Sequence, residues 1–375
     1  MDKIRKYFIL KRILSSIKEK GLFYSFRNYI LNELITCRFF ITRSFRKVLS
    51  FFFLAKKIRS DSKRLIFVYD TNVTPITFDI IGYLSQCELE IKKNNNVKVL
   101  FVVIMNKERE LKPNLQRLGN SIFDYFEWRV NNLLIQCVNL FPSIDKYFVT
   151  DNFNDLNKII DKKDTIYPYS YFHQLPRQPS SRGLRNSRKI DFPLIVVDKR
   201  VLAYVKKDFD TISRKRKVIL FSLTEDKIQY KSNTEHWLKF IKTIDKKKYC
   251  PILIADHSFD SYQLFSEFKD YFYHKAVWSI ELRAAAYQNA YLNMSVGHGP
   301  MELCYYNNKV KYIVFLKSNS LEYQPNIERK LSGWDIGKDL RFANKYQKII
   351  WKKDNFENIS SEFKKFVTKV KKEYK

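Results

Sequence analysis

Tyr291-Leu292-Asn293-Met294-Ser295-Val296-Gly297-His298-Gly299-Pro300-Met301-Glu302-Leu303 is the stretch that decides how this chain is read. An apolar, strand-like run ends in Gly297-His298-Gly299-Pro300, and a helix-like run follows. The chain has only eight glycines, and two of them stand here, one residue apart. A strand that turns through glycines into a helix start presents backbone N–H groups and the positive end of a helix dipole, a setting for an anion such as phosphate. Pro300 suits a first helical turn, where its missing N–H costs nothing. Glu302 in that turn is either a dipole partner or a carboxylate for hydroxyl groups. The plain alternative is a tight turn with no ligand, because short glycine patterns are weakly specific.

Working outward, the chain alternates strand and helix texture. Leu65–Tyr69 is a β-branched and aromatic run ending at Asp70, and Pro75 marks Thr71–Thr77 as a loop. Ile76, Phe78, Ile80, Ile81 and Leu84 then recur at near-helical spacing. Val97–Ile104 is the apolar run of a central parallel strand. Phe123–Leu140 reads as a helix, Lys146–Thr150 as a strand ending at Asp151, and Leu194–Val197 as another strand. The highly charged Lys206–Lys217 reads as a linker. A second alternation follows: a strand Lys217–Leu223 with Thr224 at its end, and a helix capped by Ser232 and Asn233 and running to Ile244. Next come strand Cys250–Ala255, helix Ile280–Asn289, strand Tyr291–Val296, strands Val310–Leu316 and Lys348–Trp351, and a closing helix Asn355–Lys372. The pattern predicts an α/β chain of two Rossmann-like domains, residues 65–210 and 211–375, facing a ligand cleft.

Composition sets the setting. The formal net charge is +30. Residues 1–64 hold 17 Lys and Arg against 4 Asp and Glu, interleaved with aromatic and aliphatic side chains such as Tyr7, Phe8, Leu22, Phe23, Phe39 and Phe40. This predicts a basic amphipathic helical N-terminus lying on an anionic membrane surface. Its apolar content argues against a nucleic-acid arm. A plain solvated helix face is the alternative. The five cysteines Cys37, Cys87, Cys137, Cys250 and Cys304 are scattered, which fits a reducing compartment and no disulfide framework. No run is long and apolar enough to span a bilayer, and no signal-peptide layout opens the chain. The expected place is the inner face of the cytoplasmic membrane. Tyr169–Ser187, with Pro176, Pro179, Arg177, Arg182 and Arg185, reads as a long basic loop, either a surface loop or a phosphate clamp.

Two Rossmann-like halves, a basic amphipathic start and a late phosphate-type loop resemble the GT-B class of glycosyltransferases. Asp70-Thr-Asn-Val-Thr-Pro-Ile-Thr-Phe-Asp79, Asn233–Trp237, Ile280–Tyr287 and Asn293–Pro300 resemble bacterial proteins of surface-polysaccharide and lipopolysaccharide biosynthesis. The resemblance spans about residues 65 to 360. It implies sugar transfer from a nucleotide-activated donor to a glycan or lipid-linked acceptor, without a cofactor or bound metal. The chain departs from many such enzymes in having no glycine between Asp70 and Thr77.

The chemistry assigns roles. A departing diphosphate needs stabilisation as the glycosidic bond breaks. Gly297, His298, Gly299, Pro300 and Met301 would form the loop, with Glu302 on ribose hydroxyls. Arg283, Lys231 and Thr224 are the further donor-side candidates. An inverting transfer needs a general base, for which Asp70, Asp79 and Asp151 are the candidates and Asp70 the first choice. Each has a plainer role, as a turn former or, for Asp79, a first-turn helix residue. His173, His236 and His274 show no ligand spacing, so no metal is expected. Two other functions fit the same sequence: a nucleotide-sugar epimerase of the same fold, and a non-catalytic protein that binds an anionic polymer.

Overall fold

The computed structural model describes residues 62–93, 97–105, 127–169, 171, 176, 178–224, 232–255, 266–316 and 333–373. The basic segment 1–64 therefore lies almost wholly outside the described residues, as does Lys231. Among the described residues no helix is long and apolar enough to cross a membrane. Both sheets described below belong to one compact unit, Ile58–Ser318 with Gln324–Lys375.

The first sheet starts with β1 (Arg64–Asp70), whose residues Leu65–Tyr69 are fully buried. An unbroken apolar strand of this kind is covered on both faces, as in the centre of a parallel sheet. Helix α1 (Asp79–Lys93) follows, with Asp79 in its first turn and Lys92 and Lys93 in its last, charges that complement the helix dipole. Strands β2 (Lys98–Ile104), β3 (Ile144–Thr150) and β4 (Thr165–Tyr167) complete the order β3-β2-β1-β4, all parallel. The chain moves from β1 out to β3 and then returns to the other side of β1. That reversal puts a topological switch point at the carboxyl ends of β1 and β4, where open α/β sheets bind ligands.

Between the sheets stand the short helix α2 (Arg182–Asn186) and helix α3 (Lys199–Ser213). The expected linker at Lys206–Lys217 is instead helical through Ser213. Asp198 accepts a bond from the Arg200 N–H at its start, and Arg214 ends it in the left-handed conformation at φ 49°. Val205 and Phe209 are buried four residues apart, so the charges clothe the outer face of an amphipathic helix. The expected strand Leu194–Val197 is also absent. Leu194 and Ile195 are buried in non-sheet chain, and Val196 N–H donates to Leu140 O at 2.9 Å. A three- or four-residue apolar run requires burial, and a coil segment supplies it as well as a strand.

The second sheet contains β5 (Lys217–Ser222), β6 (Tyr249–Ile254), β7 (Leu292–Val296), β8 (Tyr312–Phe315) and β9 (Gln347–Ile350). Its order is β6-β5-β7-β8-β9, again all parallel. The order reverses between β5 and β7. The second switch point thus lies at Ser222–Thr224 and Gly297–His298. Helices α4 (Thr234–Thr243), α5 (Ile280–Asn289), α6 (Glu302–Tyr305) and α7 (Phe356–Glu373) belong to this half. Trp237 of α4 is fully buried, with its ring 5.7 Å from that of Phe315 and 6.0 Å from that of Phe221. The two halves together are an α/β fold of two parallel sheets with helices.

Asp354 ties the closing helix to this half. It is buried, and its Oδ2 accepts from Asn233 N–H at 2.7 Å and from the Trp237 indole N–H at 2.8 Å. Asp354→Ala strands two donors in the interior and is expected to lower stability by about 2–4 kcal/mol. Urea unfolding of the two proteins measures the difference.

Candidate functional site

The switch point of the second sheet is built by four side chains and a turn. Val296 ends β7, and Gly297 N–H donates to Phe315 O at 2.9 Å. A Cβ on Gly297 would stand 2.0 Å from Leu316 Cδ2, so a side chain here would displace the end of Leu316. Half-buried His298 donates from Nε2 to the Ser222 carbonyl at 3.1 Å, which joins the ends of β7 and β5. Ser222 Oγ lies 3.0 Å from the Tyr287 hydroxyl. Gly299–Met301 form a 3-10 turn with Pro300 in its first positions, and α6 continues from Glu302. The Met301 N–H donates to His298 O at 3.1 Å, and the Glu302 N–H bonds back to Gly299 and Pro300. Part of the expected cradle is thus consumed within the turn. Gly299 is the exposed residue of the turn.

Thr224 borders the same end of β5. It is buried, its N–H donates to Ser232 Oγ at 3.0 Å, and its carbonyl accepts from Ser232 N–H at 2.8 Å. These two bonds hold Thr224 and Ser232 together beside the switch point. Arg283, expected at a phosphate, is fully buried. Its Nε donates to Ala276 O at 2.8 Å and its Nη2 to Ala255 O at 2.9 Å, so in this structure it braces the end of β6.

Facing the turn are residues of the first half. A Cβ on Gly299 would meet Phe78 Cδ2 at 3.3 Å, and one on Gly82 would meet Glu302 Oε2 at 3.0 Å. The start of α1 therefore packs on the glycine turn and on α6. Asp79 stands between those two contacts, and Thr77 Oγ1 donates to its Oδ2 at 2.8 Å. The other two candidate carboxylates are placed differently. Asp70 is fully buried at the first sheet's switch point. Its Oδ1 accepts from Asn72 N–H at 2.9 Å and Asn72 Nδ2 at 2.8 Å, and its Oδ2 accepts from the Tyr171 hydroxyl at 2.7 Å. Asp151 is exposed beyond β3, the edge strand, two strands from β1. Of the three, Asp79 is the one next in sequence to Phe78, which meets the glycine turn.

Glu302 is buried and held by Arg185, whose Nη2 lies 3.1 Å from both carboxylate oxygens. Arg185 Nε donates to the Tyr306 hydroxyl at 2.7 Å, and the guanidinium lies 4.8 Å from the Trp334 ring centroid. The basic loop reading for Arg185 is thus replaced by a buried ion pair. Burial raises the Glu302 carboxyl to about 7, against the opposing pull of Arg185 and with added repulsion from Asp79. Nothing in the spacing of Arg185 signalled this pairing, since its partner is more than a hundred residues away. Tyr171 on Asp70 and Phe78 on Gly299 were likewise not singled out by the sequence. Among the described residues no group of three or more His, Cys, Asp or Glu is arranged to hold a metal ion.

No protein-family profile matches this sequence, and no curated protein does. Among solved structures, the chain is similar to a glycosyl transferase family 9 protein from Veillonella parvula. That likeness has 11% identity, covers 82% of this chain and 92% of the other, and has a TM-score of 0.48. It is also similar to the E. coli ADP-heptose LPS heptosyltransferase II, at 9% identity over 82% of this chain and 99% of the other, TM-score 0.46. A second E. coli heptosyltransferase, solved with ADP, gives 13% identity, the same two coverages and a TM-score of 0.41. All three are glycosyltransferases by name, and at these identities the likeness is one of fold.

The raised Glu302 carboxyl has a consequence for stability. The folded protein keeps that proton to about 7, whereas a free Glu loses it near 4.5. The folded state is then favoured below the lower value and loses this advantage as pH rises through the higher one. Urea midpoints taken between about pH 5 and about pH 8 are expected to fall with rising pH, and Glu302→Gln is expected to flatten that slope.

Proposed function

We propose that this chain is a glycosyltransferase that moves a sugar from a nucleotide-activated donor to a surface-polysaccharide or lipid-linked glycan acceptor. The observation that carries the reading is the meeting of the two halves. The glycine turn at the second sheet's switch point lies against Phe78, next to which Asp79 opens α1 within electrostatic reach of Glu302. In this reading residues 65–210 form the acceptor half and residues 211–375 the donor half. The donor diphosphate sits at Gly297–Gly299, where an exposed backbone amide meets negative charge without a cofactor.

Asp79 is the base. The acceptor hydroxyl oxygen attacks the anomeric carbon, its proton passes to the Asp79 carboxylate, and the electron pair of the breaking C–O bond leaves with the diphosphate. Asp70 supports this arrangement from beneath, by fixing the turn after β1 through Asn72. The basic segment 1–64 brings the enzyme to an anionic membrane surface, where each Lys or Arg contributes about 1 kcal/mol.

A thermal-shift panel of nucleoside diphosphates and nucleotide sugars tests the reading. A ligand at a hundredfold its Kd stabilises by about 2.7 kcal/mol, and the corresponding rise is expected to vanish in Gly299→Val. Asp79→Asn is expected to bind the same nucleotide and to lose about 10²–10⁴ in kcat. A wild-type protein that shifts with no nucleotide sinks the proposal. Interconversion of the sugar without an acceptor would point to an epimerase instead.

A further inference from the structure

We propose that Arg185 is a positioning residue: through its grip on Glu302 it holds the Gly297–Met301 turn against Phe78 and Asp79. Its bearing on catalysis rests on the transferase reading above; the placement itself rests on geometry alone. Helix α6 has four residues, too few to be stable or oriented by its own hydrogen bonds. Something outside it must fix where the turn points. Glu302 immediately follows the turn, and Arg185 reaches it from α2, on the other side of the junction. Both carboxylate oxygens share one guanidinium nitrogen at 3.1 Å, while Nε is held by Tyr306.

Two backbone segments are shaped around this pair. Gly82 leaves space for Glu302 Oε2 on α1. Gly333, at φ +93°, lets residues 333–334 approach α2, where an added Cβ would stand 3.1 Å from Arg182 O and from Arg185 Cβ. Trp334 then covers the guanidinium face at 4.8 Å. A pair of apolar side chains would fill this volume without taking two charges out of water. A buried ion pair adds little stability over such a filling, but its planar fork fixes direction. Direction is what the turn needs, since Asp79 and Gly299 must face the same space.

The test reads the placement directly. A Cβ on Gly299 would lie 3.4 Å from the Phe78 Cβ, close to disulfide range. Full-length protein carrying Phe78→Cys and Gly299→Cys, with Cys37→Ser, is oxidised with glutathione disulfide and its cross-linking rate is followed by mass. Arg185→Lys, which keeps charge and loses the fork, is expected to slow the cross-link at least about fivefold, and Glu302→Gln to slow it less. Unchanged rates in both backgrounds would overturn the proposal. In the uncrosslinked enzyme, Arg185→Lys is expected to lower kcat about tenfold or more, with Kd for the nucleoside diphosphate within about threefold. Activity that falls only in step with the nucleotide-binding fraction would show a merely structural role. If the cross-link depends on Arg185 while wild-type protein binds no nucleoside diphosphate, the placement stands and the transferase reading fails.

Discussion

The meeting of α1 with the glycine turn depends on one buried ion pair. Arg185 and Glu302 each leave water almost completely, a transfer that costs several kcal/mol per ion before their attraction offsets it. The cost is met by geometry: two contacts to the carboxylate, a hydroxyl on Nε and an aromatic ring on the guanidinium face. The pair joins α2 to α6, and Tyr306 and Trp334 complete its surroundings, so the full arrangement draws together three segments far apart in sequence. It is therefore a coincidence detector for the assembled junction.

The glycines make sense on the same terms. Gly82, Gly297, Gly299 and Gly333 lie where two segments approach too closely for an unperturbed side chain. Gly297 admits Leu316, Gly299 admits Phe78, Gly82 admits Glu302, and Gly333 admits the backbone of Arg182. With only eight glycines in the chain, half of them mark contacts at or next to this junction. Buried aromatic side chains pack each half, as in Phe67, Phe101 and Tyr167 of the first sheet and Phe221 and Phe315 of the second against Trp237 of α4.

The two switch points carry unequal chemistry. At the first, Asp70 has both carboxylate oxygens engaged by Asn72 and Tyr171, which makes it a support for the loop above. At the second, His298 spends its Nε2 proton on Ser222 and Glu302 spends its oxygens on Arg185. Beside them stand Gly299, packed on Phe78, and Asp79, whose Oδ2 accepts from Thr77 Oγ1.

The sequence by itself determined the alternation and its central strands. Leu65–Tyr69 and Val218–Phe221 are apolar on both faces, Tyr291–Val296 is apolar on the face of Leu292, Met294 and Val296, and Gly297–Pro300 reads as a turn into a helix, because these properties are local. It also determined that Asp79 opens a helix. Strand Thr165–Tyr167 was beyond its reach, since three residues carry no period, and so was helix Lys199–Ser213, whose charges concealed the buried pair Val205 and Phe209. Only the tertiary structure decided what the charged side chains do. Arg283 went to two carbonyls, Arg185 to Glu302 and Tyr171 to Asp70. The reason is physical: a periodic apolar pattern reports on its own neighbourhood, whereas the partner of a buried charge is chosen by whichever group a distant segment brings within 3 Å or so.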